Sequence, residues 1–113
     1  MPSDRRCRRL EALPRCRVQG RTVPVATTSL SRLLGLAGLS REQAGAGLLI
    51  PRCASVHTFA MRFELDLVFL DRDGRPLSLR RRVPPRRLAW HRCAAAVLEL
   101  PSPRGESPAG AGT

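Results

Sequence analysis

A single carboxylate interrupts the most apolar run of the sequence and is the first candidate for chemistry. Asp66 lies within residues 65–70, and the five remaining residues of this run are apolar. Both faces of a strand formed by this run would therefore be apolar. Because an unpaired charge is costly to bury, this carboxylate must face solvent or have a partner. It could act as an anchor or an acid–base group in a cleft. We favour a structural role, in which Asp66 pairs with Arg62 or with loop amides and holds residues 56–64 against the sheet.

Alternating apolar side chains precede this strand and could line a binding groove. Phe59, Met61 and Phe63 share one parity of an extended segment, and methionine adapts readily to ligand surfaces. Packing of these side chains into the core is the interpretation that we favour over a groove. Arg62 and Glu64 have the opposite parity, and we expect them to face solvent or each other.

A cluster of arginines is the feature of the sequence that most strongly indicates a binding surface. Residues 75–92 contain seven arginines and no acidic residue. Guanidinium groups beside an indole could hold phosphates and stack on an unpaired base, as in a sequence-nonspecific nucleic-acid binder. The same charges could contact an acidic protein or prevent pairing of an exposed strand edge. The candidate binding residues of this segment are Arg80, Arg82, Arg86, Arg87 and Trp90.

Composition offers another explanation for the basic charge. The 113-residue chain has a formal net charge of +11, yet all 20 basic residues are arginine. Nucleic-acid surfaces generally use lysine as well. Arginine without lysine, beside abundant Ala, Gly, Pro and Leu, is typical of codon bias in a high-GC genome. The positive charge is concentrated in two segments. Residues 1–21 have seven arginines and two acidic residues, a net charge of +5, and residues 75–92 have a net charge of +7. Residues 22–74 between them are neutral overall.

Two pairs of cysteine and histidine raise the question of a metal site. Cys53 and His57 are four residues apart, and His91 and Cys93 are two apart. Together they could bind zinc, but the spacings match no standard zinc pattern, so we expect no metal and no other cofactor. A glycine-rich phosphate loop, a nucleophile elbow and paired catalytic carboxylates are also missing. A small enzyme or metal site around Asp66 or around Cys53 and His57 is therefore the least favoured function.

One small mainly-β domain must position these residues, because 113 residues leave room for a single core. The sequence predicts an Arg-rich flexible arm over residues 1–15, the domain over residues 16–100, and a disordered Pro/Gly/Ser tail over residues 101–113. Within the domain we expect a hairpin that turns at residues 19–20 and a short helix near residues 29–36. A capping box at Ser40 predicts another helical turn, and strands are expected at residues 48–50 and 94–100.

The clearest structural signal is a hairpin at the centre of the chain. Residues 65–70 and 75–83 flank a four-residue turn at residues 71–74. In the return strand Leu77, Leu79 and Val83 have one parity and polar residues have the other. This pattern predicts an antiparallel hairpin that buries these three side chains on one face.

Residues 56–74 resemble the signature of the domain of unknown function 192 family. They contain an aromatic-x-Met element at residues 59–61, a Leu-Asp strand at residues 65–66 and an Asp-x-Asp-Gly hairpin at residues 71–74. Residues 31–36 look like the family's Arg-x-x-Gly-Leu helix, and residues 97–99 look like its closing Val-Leu-Glu strand. The resemblance covers about residues 18–100 and implies a small sandwich or jelly-roll-like barrel with one short helix. It implies no activity, because the family is uncharacterised.

We therefore expect a non-enzymatic binding or accessory domain that presents a β-sandwich surface to a protein or a small ligand. Nonspecific nucleic-acid binding through residues 80–92 is the alternative. The four cysteines include no C-x-x-C pair, and no apolar run has the length of a signal peptide or a membrane span. These observations predict a cytoplasmic protein with free thiols.

Overall fold

The chain begins with a short hairpin, as the sequence predicts. The computed structural model describes residues 9–103, which open with a helical turn at residues 9–11. Strands β1 (Arg15–Val18) and β2 (Arg21–Pro24) pair antiparallel. The two residues between them, Gln19 and Gly20, both have positive φ angles, of 50° and 77°. Such angles suit a tight hairpin turn that follows the twist of its strands.

Two short helices begin at capping boxes. In front of α1 (Ser29–Leu34), the hydroxyl of Thr28 accepts a hydrogen bond from the backbone N–H of Ser31, whose own hydroxyl accepts one from the backbone of Thr28. An equivalent box opens α2 (Arg41–Ala44). These side chains satisfy amide groups that a helix leaves unpaired at its first turn. Both predicted helical segments are confirmed.

Six further strands form two antiparallel sheets. They are β3 (Leu48–Pro51), β4 (Ser55–His57), β5 (Leu65–Leu70), β6 (Pro76–Val83), β7 (Leu88–Trp90) and β8 (Ala96–Pro101). The larger sheet has the order β3-β8-β5-β6, and β4 pairs separately with β7. The predicted mainly-β fold is confirmed, including the β5–β6 hairpin. Strand β7 was not predicted, because three residues are too few to establish a periodic pattern.

The two faces of the four-stranded sheet pack against different parts of the chain. On one face, the fully buried side chains of Leu67 and Phe69 belong to a core cluster that also contains Leu36, from the segment after α1. On the other face, Leu98 packs with Val23 of the first hairpin. Glu99 lies opposite Leu67 in the β5–β8 pairing, and directly paired residues project to the same face. A glutamate therefore projects into the main core.

One prediction about the central hairpin was wrong. Val83 is buried as expected, but Leu77 and Leu79 are 40% and 48% exposed. Between Leu65 and Leu67 the β5–β6 pairing contains a bulge that places an extra residue in β6. Because side chains alternate with a period of two, one extra residue moves the earlier part of β6 to the opposite face. Leu79, which lies opposite Val68, is therefore on the second face of this edge strand, and Leu77 is the extra residue at another register shift, between Phe69 and Leu70.

Both ends of the domain extend further than the sequence suggested. Residues 1–8 and 104–113, and with them most of the expected arm and tail, lie outside the described residues. Within the expected arm, however, Leu10 is buried in the main core, and the guanidinium of Arg9 donates to the backbone oxygen of Ala37 at 2.8 Å. Within the expected tail, Ser102 is fully buried and its N–H donates to the backbone oxygen of Glu64 at 2.9 Å. The folded unit therefore includes parts of both segments.

Candidate functional site

A small pocket lies where the end of α1 meets strands β3, β4 and β8. Its volume is about 190 Å³. Leu34, Ile50 and Val56 contribute apolar walls, while Arg32, His57 and Glu99 contribute polar and ionisable groups. The pocket thus brings together side chains from the helix, the four-stranded sheet and the separate β4–β7 pair.

Three buried polar atoms on residues that line this pocket are unpaired. They are Nε of Arg32, Nδ1 of His57 and Oε1 of Glu99, and none has a hydrogen-bonding partner among residues 9–103. A buried polar atom without a partner costs about 1–3 kcal/mol, and native proteins contain only a few. The three side chains line the same cavity, whereas the unpaired atoms themselves have almost no accessible surface.

The position of Glu99 changes its acidity. Glu99 pairs with Leu48 of β3 on one side and with Leu67 of β5 on the other, and it is only 3% exposed. Burial raises the pKa of this carboxyl from its ordinary value to about 7, and the backbone amide of Leu36 acts in the opposite direction. At neutral pH the group therefore exists in both protonation states, so that it can accept or donate a hydrogen bond.

Two glycines provide the space that Glu99 occupies. Gly35 ends α1 with φ 54°, and a Cβ atom there would lie 2.8 Å from Oε1 of Glu99. Gly47 has φ 112°, and a Cβ atom there would overlap the backbone oxygen of Glu99. Both the helix end and the segment before β3 can approach β8 closely because neither glycine carries a side chain.

Contacts outside the pocket hold the two basic side chains in place. The guanidinium of Arg32 donates through Nη2 to the backbone oxygen of Arg52 at 2.6 Å. The ring of His57 lies 5.5 Å from the ring of Phe59, and His57 pairs with Leu88 across the β4–β7 ladder. Side chains that are oriented in this way lose less freedom when a ligand binds.

Asp66, the first candidate from the sequence, has a structural environment and is not among the residues that line this pocket. Its Oδ1 accepts hydrogen bonds from the backbone N–H of Arg82 at 3.0 Å and from the hydroxyl of Ser102 at 2.7 Å. The carboxylate therefore connects β5 to the bulge of β6 and to the residue after β8. Of the two kinds of partner that we expected, Arg62 or backbone amides, Asp66 has a backbone amide, that of Arg82, and Arg62 is exposed.

The candidates at residues 59–62 do not share one face. Phe59 is 49% exposed beside His57, whereas Met61 is buried in the main core. Arg62 is exposed and borders a shallow depression next to Phe63. The segment is a turn, with φ 64° at Ala60, so the alternation expected of an extended chain does not apply.

The arginine-rich segment divides into exposed and paired residues. Arg80, Arg86 and Arg87 are exposed, and Trp90 is 66% exposed. Arg82 instead forms an ion pair with Glu64 at 3.0 Å, and it also donates to the backbone oxygen of Pro103. Arg82 is therefore engaged in connecting strand ends, while the other members of the set remain accessible.

In each cysteine–histidine pair, one side chain forms a hydrogen bond with the backbone two residues away. The thiol of Cys53 donates to the backbone oxygen of Ser55, and Nδ1 of His91 accepts from the backbone N–H of Cys93. Within the described residues 9–103, no group of three or more His, Cys, Asp or Glu side chains could hold a metal ion. Of the four residues, His57 is the one that lines the pocket.

Sequence reasoning missed the roles of Arg32 and Glu99. The signal for Glu99 was available, because a carboxylate between Leu98 and Leu100 interrupts an apolar strand in the same way as Asp66 does. Arg32 was marked as the arginine of the Arg-x-x-Gly-Leu element at residues 31–36, but that resemblance implied no role for its side chain. Its connection with Glu99 depends on the packing of α1 against β8.

Comparisons with known proteins agree with this fold. A crystal structure from Sinorhizobium meliloti, described as a "putative transcription regulator", has a TM-score of 0.63 and 23% identity over 78% of each chain. A protein of unknown function from Novosphingobium aromaticivorans has a TM-score of 0.58 and 20% identity, covering 82% of this chain and 84% of its own. At such identities the likeness concerns the fold alone.

The remaining comparisons concern curated proteins and protein families. No curated protein matches the chain significantly. Among residues 9–103, no helix combines the length and apolar character that crossing a bilayer requires. The model of the DUF192 family, described as "Uncharacterized ACR", matches residues 14–107. The chain therefore belongs to the DUF192 family.

Proposed function

We propose that this domain binds a small organic molecule in the pocket between α1, β3, β4 and β8. The observation that carries the proposal is one cavity lined by three ionisable side chains, those of Arg32, His57 and Glu99. Their guanidinium, imidazole and carboxyl groups could form hydrogen bonds with a ligand of suitable shape. A site with polar groups set among apolar walls is the usual form of a small-molecule pocket.

The pocket's volume limits the size of the ligand. At about 190 Å³ it exceeds an engineered cavity of roughly 150 Å³ that accepts benzene. It is smaller than the roughly 300–1,000 Å³ typical of sites for drug-sized molecules. Scaling from benzene gives a ligand of roughly eight non-hydrogen atoms. Because the pocket is open on one side, this volume limits the part of a ligand that it can enclose, and we propose a small metabolite as that ligand.

Ligand-observed NMR with a library of small polar metabolites tests this function. We expect at least one compound whose affinity falls about tenfold or more in Arg32→Ala, which removes the guanidinium, and in Glu99→Gln, which replaces a carboxyl oxygen with an NH2 donor. Arg80→Ala is the matched control, since it removes an exposed guanidinium outside the pocket. Absence of any binder, or compounds that bind wild type and both pocket variants equally, would contradict the proposal.

A second candidate is nonspecific binding of nucleic acid, supported by the exposure of the arginine-rich segment. Arg80, Arg86 and Arg87 are accessible, and the largely exposed indole of Trp90 could stack on a base. These groups need no deep pocket, because phosphate contacts act mainly through charge.

The nucleic-acid candidate predicts steep salt dependence. With about four phosphate contacts, affinity for a single-stranded oligonucleotide should fall roughly 50-fold between about 50 and 200 mM salt. Substituting Arg80, Arg86 and Arg87 by alanine should abolish most of this binding in fluorescence anisotropy. The charge-matched control replaces Arg15, Arg21 and Arg72, which are exposed elsewhere. Equal losses in the two triple variants would point to net charge and exclude a specific surface.

A further inference from the structure

We propose that the outer face of the β4–β7 ribbon docks on an anionic lipid bilayer. Phe59, Leu88 and Trp90 enter the lipid interface, and neighbouring arginines contact the headgroups. Binding of a small molecule in the pocket is not needed for this docking. Three observations support it: the exposure of these apolar side chains, the charge around them and the small size of the ribbon.

Two large apolar side chains project from the outer face of the ribbon. In the β4–β7 ladder, Val56 pairs with Ala89 and His57 pairs with Leu88. Val56 and Ala89 are buried in the main core. Because side chains alternate along a strand, Leu88 and Trp90 project away from that core. Leu88 is 61% exposed and Trp90 is 66% exposed. The ribbon therefore buries one face in the protein and presents the other to water.

Phe59 adds a third apolar side chain to this face. Its ring is largely exposed and lies 5.5 Å from the imidazole of His57. His57 is paired directly with Leu88, and paired residues project to the same face. We call Phe59, Leu88 and Trp90 the ribbon patch. Single exposed apolar residues are ordinary, whereas a contiguous group of them is typical of a surface that contacts a protein or a membrane.

The chain segments around the ribbon patch carry only positive charge. Residues 52–63 and 75–98, which contain both strands of the ribbon, include no acidic residue. Arg86 and Arg87 directly precede β7, and Arg92 follows it. All three of these arginines are exposed. Guanidinium groups are thus available at both ends of β7, and they favour an anionic partner.

Backbone hydrogen bonds hold two of these arginines beside the ribbon patch. The N–H of Arg87 donates to the hydroxyl of Thr58 at 2.8 Å, and the N–H of Thr58 donates to the backbone oxygen of Arg87 at 2.8 Å. The N–H of Arg86 donates to the backbone oxygen of Thr58 at 3.2 Å. Thr58 directly precedes Phe59. The fold therefore brings these arginines next to an apolar residue that is distant in sequence.

The size of the ribbon favours a bilayer over a protein partner. Each strand of the ribbon has three residues, so the outer face covers roughly 10 Å by 10 Å. Each partner in a stable protein complex buries much more, roughly 800 Å². A bilayer needs no matching surface, because apolar side chains enter it individually.

The residue types also favour a bilayer over nucleic acid. Tryptophan is enriched at membrane interfaces, and arginines near an anionic leaflet are attracted to its headgroups. Phosphates and stacked bases offer little to an exposed leucine, whereas the acyl region of a bilayer removes it from water. Leu88 therefore has a role on a lipid surface that a nucleic acid would not give it.

Fluorescence of Trp90, the single tryptophan of the chain, tests the proposal on the unsubstituted protein. The full chain is titrated with vesicles of phosphatidylcholine mixed with phosphatidylglycerol and with vesicles of phosphatidylcholine alone. On the anionic vesicles we expect the emission to shift to shorter wavelength and brominated acyl chains to quench it. Binding to the neutral vesicles should be weaker by about tenfold or more, since each guanidinium near an anionic surface contributes about fivefold. Absence of binding, or binding that leaves the emission of Trp90 unchanged, would overturn the proposal.

One leucine variant and its control test the apolar contact. Leu88→Ser should weaken binding to the anionic vesicles about tenfold, because one leucine side chain no longer leaves water. Leu79→Ser is the matched control. Leu79 is also exposed, but it lies on the second face of the four-stranded sheet, away from the main core on which the ribbon packs. Equal affinities of the two variants would contradict insertion of the ribbon patch.

Two triple variants test the charge. Affinity for the anionic vesicles should fall about 100-fold when glutamine replaces the arginines that flank β7, which are Arg86, Arg87 and Arg92. A much smaller loss is expected when glutamine replaces three exposed arginines elsewhere, which are Arg15, Arg21 and Arg72. Equal losses would mean that net charge alone attracts the protein. If the first variant loses binding to an oligonucleotide while Leu88→Ser still binds vesicles as the wild type does, these arginines serve nucleic acid and the proposal fails.

Discussion

Replacing Glu99 with glutamine is expected to raise the free energy of unfolding by about 3 kcal/mol near pH 8 and to leave it nearly unchanged near pH 4. The pKa of Glu99 is about 7 in the folded protein, against 4.5 as its ordinary value. Between these values the folded protein keeps a proton that the unfolded chain has released. The stability of the wild type therefore falls as pH rises through this window, by about 1.4 kcal/mol per pH unit.

Glutamine does not ionise, so the free energy of unfolding of the variant does not fall in this pH range. Urea unfolding followed by circular dichroism at several pH values would measure the difference, which should grow from about pH 4.5 to about pH 7 and then level off. Glu64→Gln is the control, because it changes a partly exposed carboxyl paired with Arg82 and should alter stability by less than about 1 kcal/mol. Parallel pH profiles for wild type and Glu99→Gln would show that the carboxyl is not buried as described.

The second large effect is expected from Gly47→Ala, which should lower the free energy of unfolding by about 3–5 kcal/mol or prevent folding. The φ angle of 112° at Gly47 is one that residues with a Cβ rarely adopt, which costs about 1–3 kcal/mol. The added methyl group would also overlap the backbone oxygen of Glu99 and approach Cδ2 of Leu100 within 2.8 Å. A backbone atom cannot move aside unless β8 shifts within the sheet, and such overpacking costs a further 1–3 kcal/mol or so.

Gly45→Ala is the matched control for this prediction. Gly45 also has a positive φ, of 57°, but a Cβ atom there would meet nothing within 4 Å. With ψ of −124° this backbone conformation is also one that residues with a Cβ rarely adopt, so the substitution should cost about 1–3 kcal/mol from the backbone alone. Chemical denaturation of both variants separates the backbone effect from the contact with β8. Equal losses of stability would mean that the close approach between Gly47 and Glu99 does not exist.

Local features of the fold were predictable because their causes are local. The capping boxes at Thr28 and Ser40 and the turn at residues 19–20 depend on residues within four positions of one another. The central hairpin follows from two apolar segments joined by a short turn. Its buried face was predicted wrongly, because two register shifts in β6 interrupt the alternation and no local pattern marks them.

The candidate site was less predictable, since its members are distant in sequence. Asp66 and Glu99 both interrupt apolar strands, and the sequence does not separate them. In the fold, Asp66 finds an amide and a hydroxyl, whereas Oε1 of Glu99 meets no partner among residues 9–103. The two carboxyls have different surroundings because Asp66 projects to one face of the sheet and Glu99 projects to the other.

By itself, the sequence determined the family, the mainly-β fold and the positions of most strands and helices, because periodicity and capping act over a few residues. Only the tertiary structure decided which polar side chains would meet. The insertion of β8 between β3 and β5 turns Glu99 into the core, and the packing of α1 places Arg32 at the same cavity. Such contacts depend on strand order and on the face each residue occupies, and long-range pairing sets both.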